Sequence, residues 1–261
     1  MPMKQTGLID GNRVVIGGMP TFPNVPAILV PGSLDWYGIY EEFLHGPVTD
    51  IGGLFAPPKW TAFAVGAASL FTIADVVGGR GFMNLGTGAD NDTYQITLGN
   101  GLMGSFVVAD NRDIYFETRI QHSMVGEINI GTGLVNPAAA AYLADNGGAL
   151  VPTDQIMFAT RDGEAAVGWN SSGRKAGGAI AYRALTAPRV AATDITLGFH
   201  VYGVTPTYVA DFYVNRALVA AGQLVFADIP LVPLMPFLAI KTGHAGVESL
   251  TVDYLMCVQK R

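Results

Sequence analysis

The run "GADNDTY" at 88–94 sets Asp90, Asn91 and Asp92 side by side, three hard oxygen donors of the kind that bind calcium. The same three residues are the usual vocabulary of a tight turn. Turn is the reading adopted, and no metal or other cofactor is assigned. Four histidines, His45, His122, His200 and His244, lie far apart and lack the H-x-x-x-H type of spacing that brings two imidazoles to one ion. No G-x-S-x-G turn marks a nucleophile. No G-x-x-x-x-G-K-[ST] loop marks a nucleotide phosphate site. "GGRGFMNLGTG" at 78–88 is rich in glycine but leads into a strand pattern, so it lacks the helix N-terminus that would hold a phosphate. Aromatic residues flanked by polar ones remain as sugar-stacking candidates: Trp169 in "VGWNSSG", and Tyr202 and Tyr208 in "VYGVTPTYV". Trp169 ends an alternating run, which points its ring toward a core.

The elements that would position these residues read as strands. Of 261 residues, half are hydrophobic and only 14% are charged, with 33 glycines and 15 prolines, a composition of many turns and few long helices. "DIYFETRIQ" puts Ile114, Phe116, Thr118 and Ile120 on one face, and Tyr115, Glu117 and Arg119 on the other. "SLTVDYLMCV" alternates likewise, placing Leu250, Val252, Tyr254, Met256 and Val258 together. Further strands are expected over 94–98, 105–109, 127–131, 155–160, 165–170, 179–182 and 195–201. "NPAAAAYLADNGG" at 136–148 is the one helical candidate, with Pro137 suited to a first turn. "ADFYVNRALVAAG" at 210–222 reads as strand, turn, strand about Asn215-Arg216. Two central residues at positive φ usually demand Asn-Gly there, and the turn type is left open. The expected fold is all-β, an antiparallel sandwich with at most one or two short helices.

Residues 1–40 differ in texture. Prolines at 20, 23 and 26 recur at the three-residue period of polyproline II. Two readings stand: an ordered loop on the domain's own surface, or an extended arm that reaches a neighbouring subunit through Phe22, Val25, Ile28, Leu29 and Val30. Val14 to Leu34 carries no charge, yet its four prolines rule out a membrane helix, and no membrane association is expected. The start "MPMKQTGLIDGNRVV" lacks the apolar core of a secretion signal. A lone cysteine, Cys257, fits folding in a reducing compartment. A net charge of −6, with no basic stripe, argues against direct nucleic-acid binding.

In this order, "EEFLHG" at 41–46, "GGRGFMNLGTGADNDTYQITLG" at 78–99, "DIYFETRIQ" at 113–121, "DQIMFATRDG" at 154–163, "ITLGFHVYG" at 195–203, "DFYVNRALVA" at 211–220 and "LAIKTGHAGVESLTVDYLMCVQKR" at 238–261 resemble the concanavalin A-like lectin/glucanase sandwich of tailed-bacteriophage structural proteins. The resemblance spans 41–261 and implies a jelly-roll sandwich preceded by the 1–40 arm. Glucanases of this fold carry Glu-x-Asp-x-Glu, or the bulged Glu-x-Asp-x-x-Glu. Two carboxylates about 5–5.5 Å apart then serve as nucleophile and acid/base. Here "EINIGTG" keeps Glu127 but has Asn129 in the Asp place, and Gly131 or Thr132 in the second Glu place. A lone carboxylate cannot play both parts, so no enzyme activity is expected. The resemblance implies a head decoration or cement protein. It would bind the major capsid protein on the exterior of the virion, be made in the host cytoplasm, and self-associate, most simply as a trimer. The alternative is a carbohydrate-binding module of a tail or head fibre that contacts host glycans through Trp169, Tyr202, Tyr208 and Arg216.

Overall fold

The computed structural model describes residues 7–10, 13–18, 21–22, 26–28, 36–41, 60–65, 69–74, 80–85, 90–98, 106–123, 128–136, 143, 153–161, 168–175 and 177–261. Two large antiparallel sheets face each other. One runs, in spatial order, Ala217–Leu218, Val209–Val214, Ile195–Tyr202, Ile114–His122, Glu248–Lys260, Arg80–Leu85 and Ser69–Ala74. Leu224–Val225 also pairs with Val209–Val214, and Trp36–Glu41 with Glu248–Lys260, giving nine strands. The other, seven-stranded sheet runs Ala181–Pro188, Gly168–Arg174, Gln155–Ala159, Ile128–Val135, Met235–Thr242, Thr93–Leu98 and Trp60–Val65. Among the described residues the helical element is a single 3-10 turn, Ala220–Gly222. The all-β sandwich expected from the alternation is the fold observed.

Alternation supplies the core. Ile114, Phe116, Leu197, Phe199 and Phe212 from the nine-stranded sheet meet Ile130, Ile156, Phe158, Trp169 and Leu238 from the seven-stranded one, all fully or almost fully buried. Phe116 stacks on Phe199 at 4.9 Å, and Phe158 meets Phe212 edge-on at 4.9 Å. Offset and edge-on pairs of this kind add about 0.5–1.5 kcal/mol each beyond the area they bury. The opposite face of the seven-stranded sheet carries a second apolar cluster, Val135, Met157, Ala159, Met235, Phe237 and Ala239 under Leu143. Hydrocarbon fills the centre of that face. A Cβ on Gly131 would lie 2.7 Å from the Phe237 ring and 2.9 Å from Leu143.

Several sequence expectations are corrected. The expected shared face of Leu250, Val252, Tyr254, Met256 and Val258 is broken by an irregularity between Val252 and Tyr254. Leu250 and Val252 point into the core, but beyond Asp253 the phase flips and Leu255 and Cys257 do so instead. Tyr254, Met256 and Val258 therefore lie on the outer face. One extra residue reverses a period-two pattern. Residues 106–109 are not a strand: Phe106 makes one bridge to Leu234 before a turn at Asp110–Asn111. The strand expected over 165–170 is observed at Gly168–Arg174, and the one over 179–182 at Ala181–Pro188. Of the helical candidate only Asn136 and Leu143 are described, so that expectation lies outside the described residues.

The N-terminal region holds strands. Gly7–Asp10, Arg13–Gly18 and Pro26–Ile28 form a separate three-stranded antiparallel sheet. Trp36–Glu41 belongs to the nine-stranded sheet, so the boundary expected at 40/41 falls within a sandwich strand. The Asn215-Arg216 hairpin is present. Val214 pairs with Ala217, and both central residues have positive φ, 48° and 70°, as a type I′ turn requires.

Candidate functional site

The polar and aromatic side chains of the described chain concentrate on the outer face of the nine-stranded sheet. Cross-strand register arranges them in rows. One row runs Val258, Tyr115, His200, Asp211; the next runs Met256, Glu117, Gly198, Tyr213, Leu218. A third runs Tyr254, Arg119, Thr196 and ends beside the Asn215-Arg216 turn. Neighbouring rows are two residues apart along the strands, about 7 Å.

Two rings of the first row and Tyr202, two residues farther along the strand, form a column. Tyr115 stacks on His200 at 4.1 Å, and His200 on Tyr202 at 4.5 Å. Two carboxylates border it. Asp113 Oδ2 receives the Tyr115 hydroxyl at 3.3 Å and lies 3.1 Å from His200 Nε2, which places the imidazole proton on Nε2. Asp211 receives the Tyr202 hydroxyl at 2.9 Å and the Gln223 amide at 2.6 Å. Burial pushes the His200 pKa below its ordinary value against the pull of Asp113 and Asp211, so the ring is neutral near pH 7. Burial, then the Asp113 charge, raises the Tyr115 phenol to about 12. Among the described residues, Asp113 and Asp211 are thus bonded by neutral groups, with neither Lys nor Arg in an ion pair with them.

In the middle row Gly198 leaves a gap that Phe22 fills. Its ring meets Tyr115 at 5.2 Å, Tyr213 at 5.1 Å and His200 at 6.2 Å, mostly edge-on. The Thr21 amide donates to Glu117 Oε2 at 2.6 Å, and the Tyr254 hydroxyl donates to Glu117 Oε1 at 2.6 Å. Glu117 is 0% exposed even though it sits on the outer face, because residues 21–22 and Tyr254 cover it. Phe22, expected to contact capsid or a neighbouring subunit, therefore packs on its own sandwich. Closing a contact within one chain avoids the rotational and translational entropy lost on association. Val25, Leu29 and Val30 of that expected contact set lie outside the described residues, and of Ile28 only its place in the strand Pro26–Ile28 is described. Beyond the third row, Arg80 makes a two-pronged pair with Asp194 at 2.8 and 3.1 Å, and Arg119 bridges Asp194 and Asp253.

The expected glycan contacts do not converge. Trp169 is 1% exposed, its ring held between the sheets near His122, so it offers no face to a ligand. Tyr208 is 2% exposed and spends its hydroxyl on Asp110. That bond and those from Thr205 hold the Asp110 carboxyl below its usual range. Tyr202 and Arg216 do reach the outer face, though the column occupies one side of the Tyr202 ring. Asp90 and Asn91 form a turn with Asn91 at φ 72°, and Asp92 is buried with its carbonyl accepting from the Thr242 amide at 2.9 Å. Among the described residues no three His, Cys, Asp or Glu side chains are grouped to hold a metal ion. Sequence reading weighed His200 only as a metal ligand and passed over Asp113, Asp211 and Tyr213. The available signal was the polar phase of "DIYFETRIQ", "GFHVYG" and "ADFYV", whose outward positions, Gly198 and Gln121 apart, are aromatic or charged.

No protein-family model matches the chain, and comparison with curated protein sequences gives no match. Solved structures do resemble it. An endo-β-1,4-glucuronan lyase from the fungus Trichoderma reesei superposes with a TM-score of 0.50 at 10% identity, over 75% of this chain and 89% of that one. A legume lectin-like domain from Entamoeba histolytica gives 0.49 at 11% identity, over 76% and 88%. Peanut lectin gives 0.49 at 8% identity, over 86% and 97%. The likeness is one of fold, and the chain has a concanavalin A/legume lectin-like β-sandwich.

Proposed function

We propose that the protein is a non-catalytic structural component of a tailed-phage virion, a decoration protein that binds the major capsid protein on the head exterior. The observation that carries this reading is a three-stranded sheet, Gly7–Asp10, Arg13–Gly18 and Pro26–Ile28, that among the described residues is hydrogen-bonded into neither sheet of the sandwich. Among the described residues its outer strands, Gly7–Asp10 and Pro26–Ile28, pair only with Arg13–Gly18, which presents backbone donors and acceptors along two edges. Such edges are templates for strand addition by a partner chain. The carbohydrate-binding alternative loses support because two of its three expected rings, Trp169 and Tyr208, are enclosed.

The test is co-sedimentation with emptied capsids of the cognate phage, comparing the full chain with one lacking residues 1–30. The full chain should saturate the capsid and raise its melting temperature, and the truncated chain should do neither. Capsids equally heat-stable with and without the full chain would sink the proposal.

A further inference from the structure

We infer that Phe22 is a latch: seated in the Gly198 gap, it holds the three-stranded sheet in one place on the sandwich and so positions that sheet's edges for a partner. The positioning role rests on the capsid-binding reading; the latch itself does not. Thr21 and Phe22 fall in the chain between Arg13–Gly18 and Pro26–Ile28, so they belong to the connection between two strands of the small sheet. Among the described residues that sheet shares no backbone ladder with the sandwich. What attaches it is side-chain and loop contact: Pro26–Ile28 lies against Glu248–Lys260, and Thr21–Phe22 reach the outer face of the nine-stranded sheet.

The seat constrains the plug in two independent ways. The ring of Phe22 drops between Tyr115 and Tyr213, at 5.2 and 5.1 Å, over a residue with no side chain. A Cβ on Gly198 would already lie 3.4 Å from Phe22 Cε2 and 3.2 Å from the Phe116 carbonyl oxygen, so any larger side chain there occupies the ring's place. One residue earlier, the Thr21 amide donates to Glu117 Oε2 at 2.6 Å, a directional bond to a carboxylate that is 0% exposed. The ring fixes depth and the bond fixes direction. Farther along, the chain rejoins the sandwich at Trp36–Glu41. That covalent tether limits how far the small sheet can travel but not how it is turned. A second attachment on the other side of Pro26–Ile28 removes the remaining freedom. With the latch closed, a partner adding a strand to Gly7–Asp10 or Pro26–Ile28 meets an edge already oriented. With it open, binding must first order the sheet, and the entropy lost there is subtracted from affinity.

Amide hydrogen exchange on the full chain tests the latch, with Phe22→Ala, Gly198→Val and the double variant. Phe22→Ala should speed exchange in Gly7–Asp10, Arg13–Gly18 and Pro26–Ile28 about 30-fold, the loss of one buried ring and its edge-on contacts. Met235–Thr242, in the far sheet, should exchange at the wild-type rate. Gly198→Val leaves the plug intact but fills its seat, and should act alike. The double variant should be no faster than either single, because both remove the same contact. Capsid co-sedimentation tests the positioning: each variant should bind about 30-fold more weakly at unchanged saturating stoichiometry, and Phe22→Leu, which refills the gap, should recover most of the loss. Unchanged melting temperatures show that the sandwich is intact in each. Wild-type exchange rates in Phe22→Ala, or additive effects in the double variant, would overturn the latch. Faster exchange with undiminished capsid affinity would overturn the positioning role. A wild type that does not bind capsids sinks the proposed function and the positioning role with it, while the exchange rates still decide the latch.

Discussion

Replacing Arg216 with glycine should make the protein more stable. Arg216 has φ 70°, in the left-handed region, where a side chain costs roughly 1–2 kcal/mol. Glycine removes that cost but enlarges the freedom of the unfolded chain, which returns about 0.4–1 kcal/mol. The turn itself is held by Asn215, whose amide donates to the Thr196 carbonyl at 2.7 Å and whose side-chain oxygen accepts from the Thr196 amide at 3.0 Å. Neither bond involves residue 216, and Arg216 makes no hydrogen bond or ion pair among the described residues. The net gain is therefore about 1 kcal/mol. A chain of this length unfolds with an entropy of about 0.5 kcal/mol/K, so the melting temperature should rise by about 2 °C. Urea denaturation reads the same quantity without heating. Arg216→Ala separates strain from charge: it keeps the left-handed cost, loses the guanidinium, and should leave stability unchanged. A glycine variant less stable than wild type, alongside a destabilised alanine variant, would refute the account. It would mean that the arginine side chain holds the hairpin down through contacts that outweigh its backbone cost.

Two further outcomes follow from geometry elsewhere. Gly133, at φ 153° in the seven-stranded sheet, has room for no side chain, since a Cβ would lie 2.4 Å from the Ile156 carbonyl oxygen and 2.6 Å from Met157 Cα. Gly133→Ala should cost more than about 3 kcal/mol, or prevent folding, as read by denaturant melts. His200 has a folded pKa below its ordinary 6.5, so the unfolded chain binds the proton more readily. Stability from this group is complete above pH 6.5 and declines as pH falls through the depressed folded value. Melting temperatures between pH 7.5 and pH 5 should fall less steeply for His200→Gln than for wild type.

The sandwich was legible because period-two alternation reports a half-buried strand directly: "DIYFETRIQ" assigns its inner and outer faces correctly, residue by residue. "SLTVDYLMCV" shows where that reading fails. Its alternation is as clean, yet an irregularity at Asp253 exchanges the faces halfway along, because the register of the strand is set by its partners on both sides. The N-terminal strands were missed for a related reason. Proline spacing at 20, 23 and 26 suggested an extended arm, while Gly7–Asp10 and Arg13–Gly18 are short and earn their pairing from each other. The candidate surface was legible only as outward positions of separate strands. Nothing local to Tyr115, His200 or Asp211 says that they are neighbours.

By itself the sequence determined the all-β class, the apolar phase of regular strands such as Ile114–His122 and the turn at Asn215-Arg216, since each depends on residues within a few positions of one another. The tertiary structure decided which outward side chains meet. Strand order places residue 115 beside residue 200 and residue 200 beside residue 211, and it frees a gap at Gly198 that Phe22, more than 170 positions upstream, comes to fill. It also decided that Trp169 and Tyr208, plausible sugar platforms in the linear chain, are enclosed. Those outcomes rest on long-range pairing, and a local pattern carries no information about its partner's register.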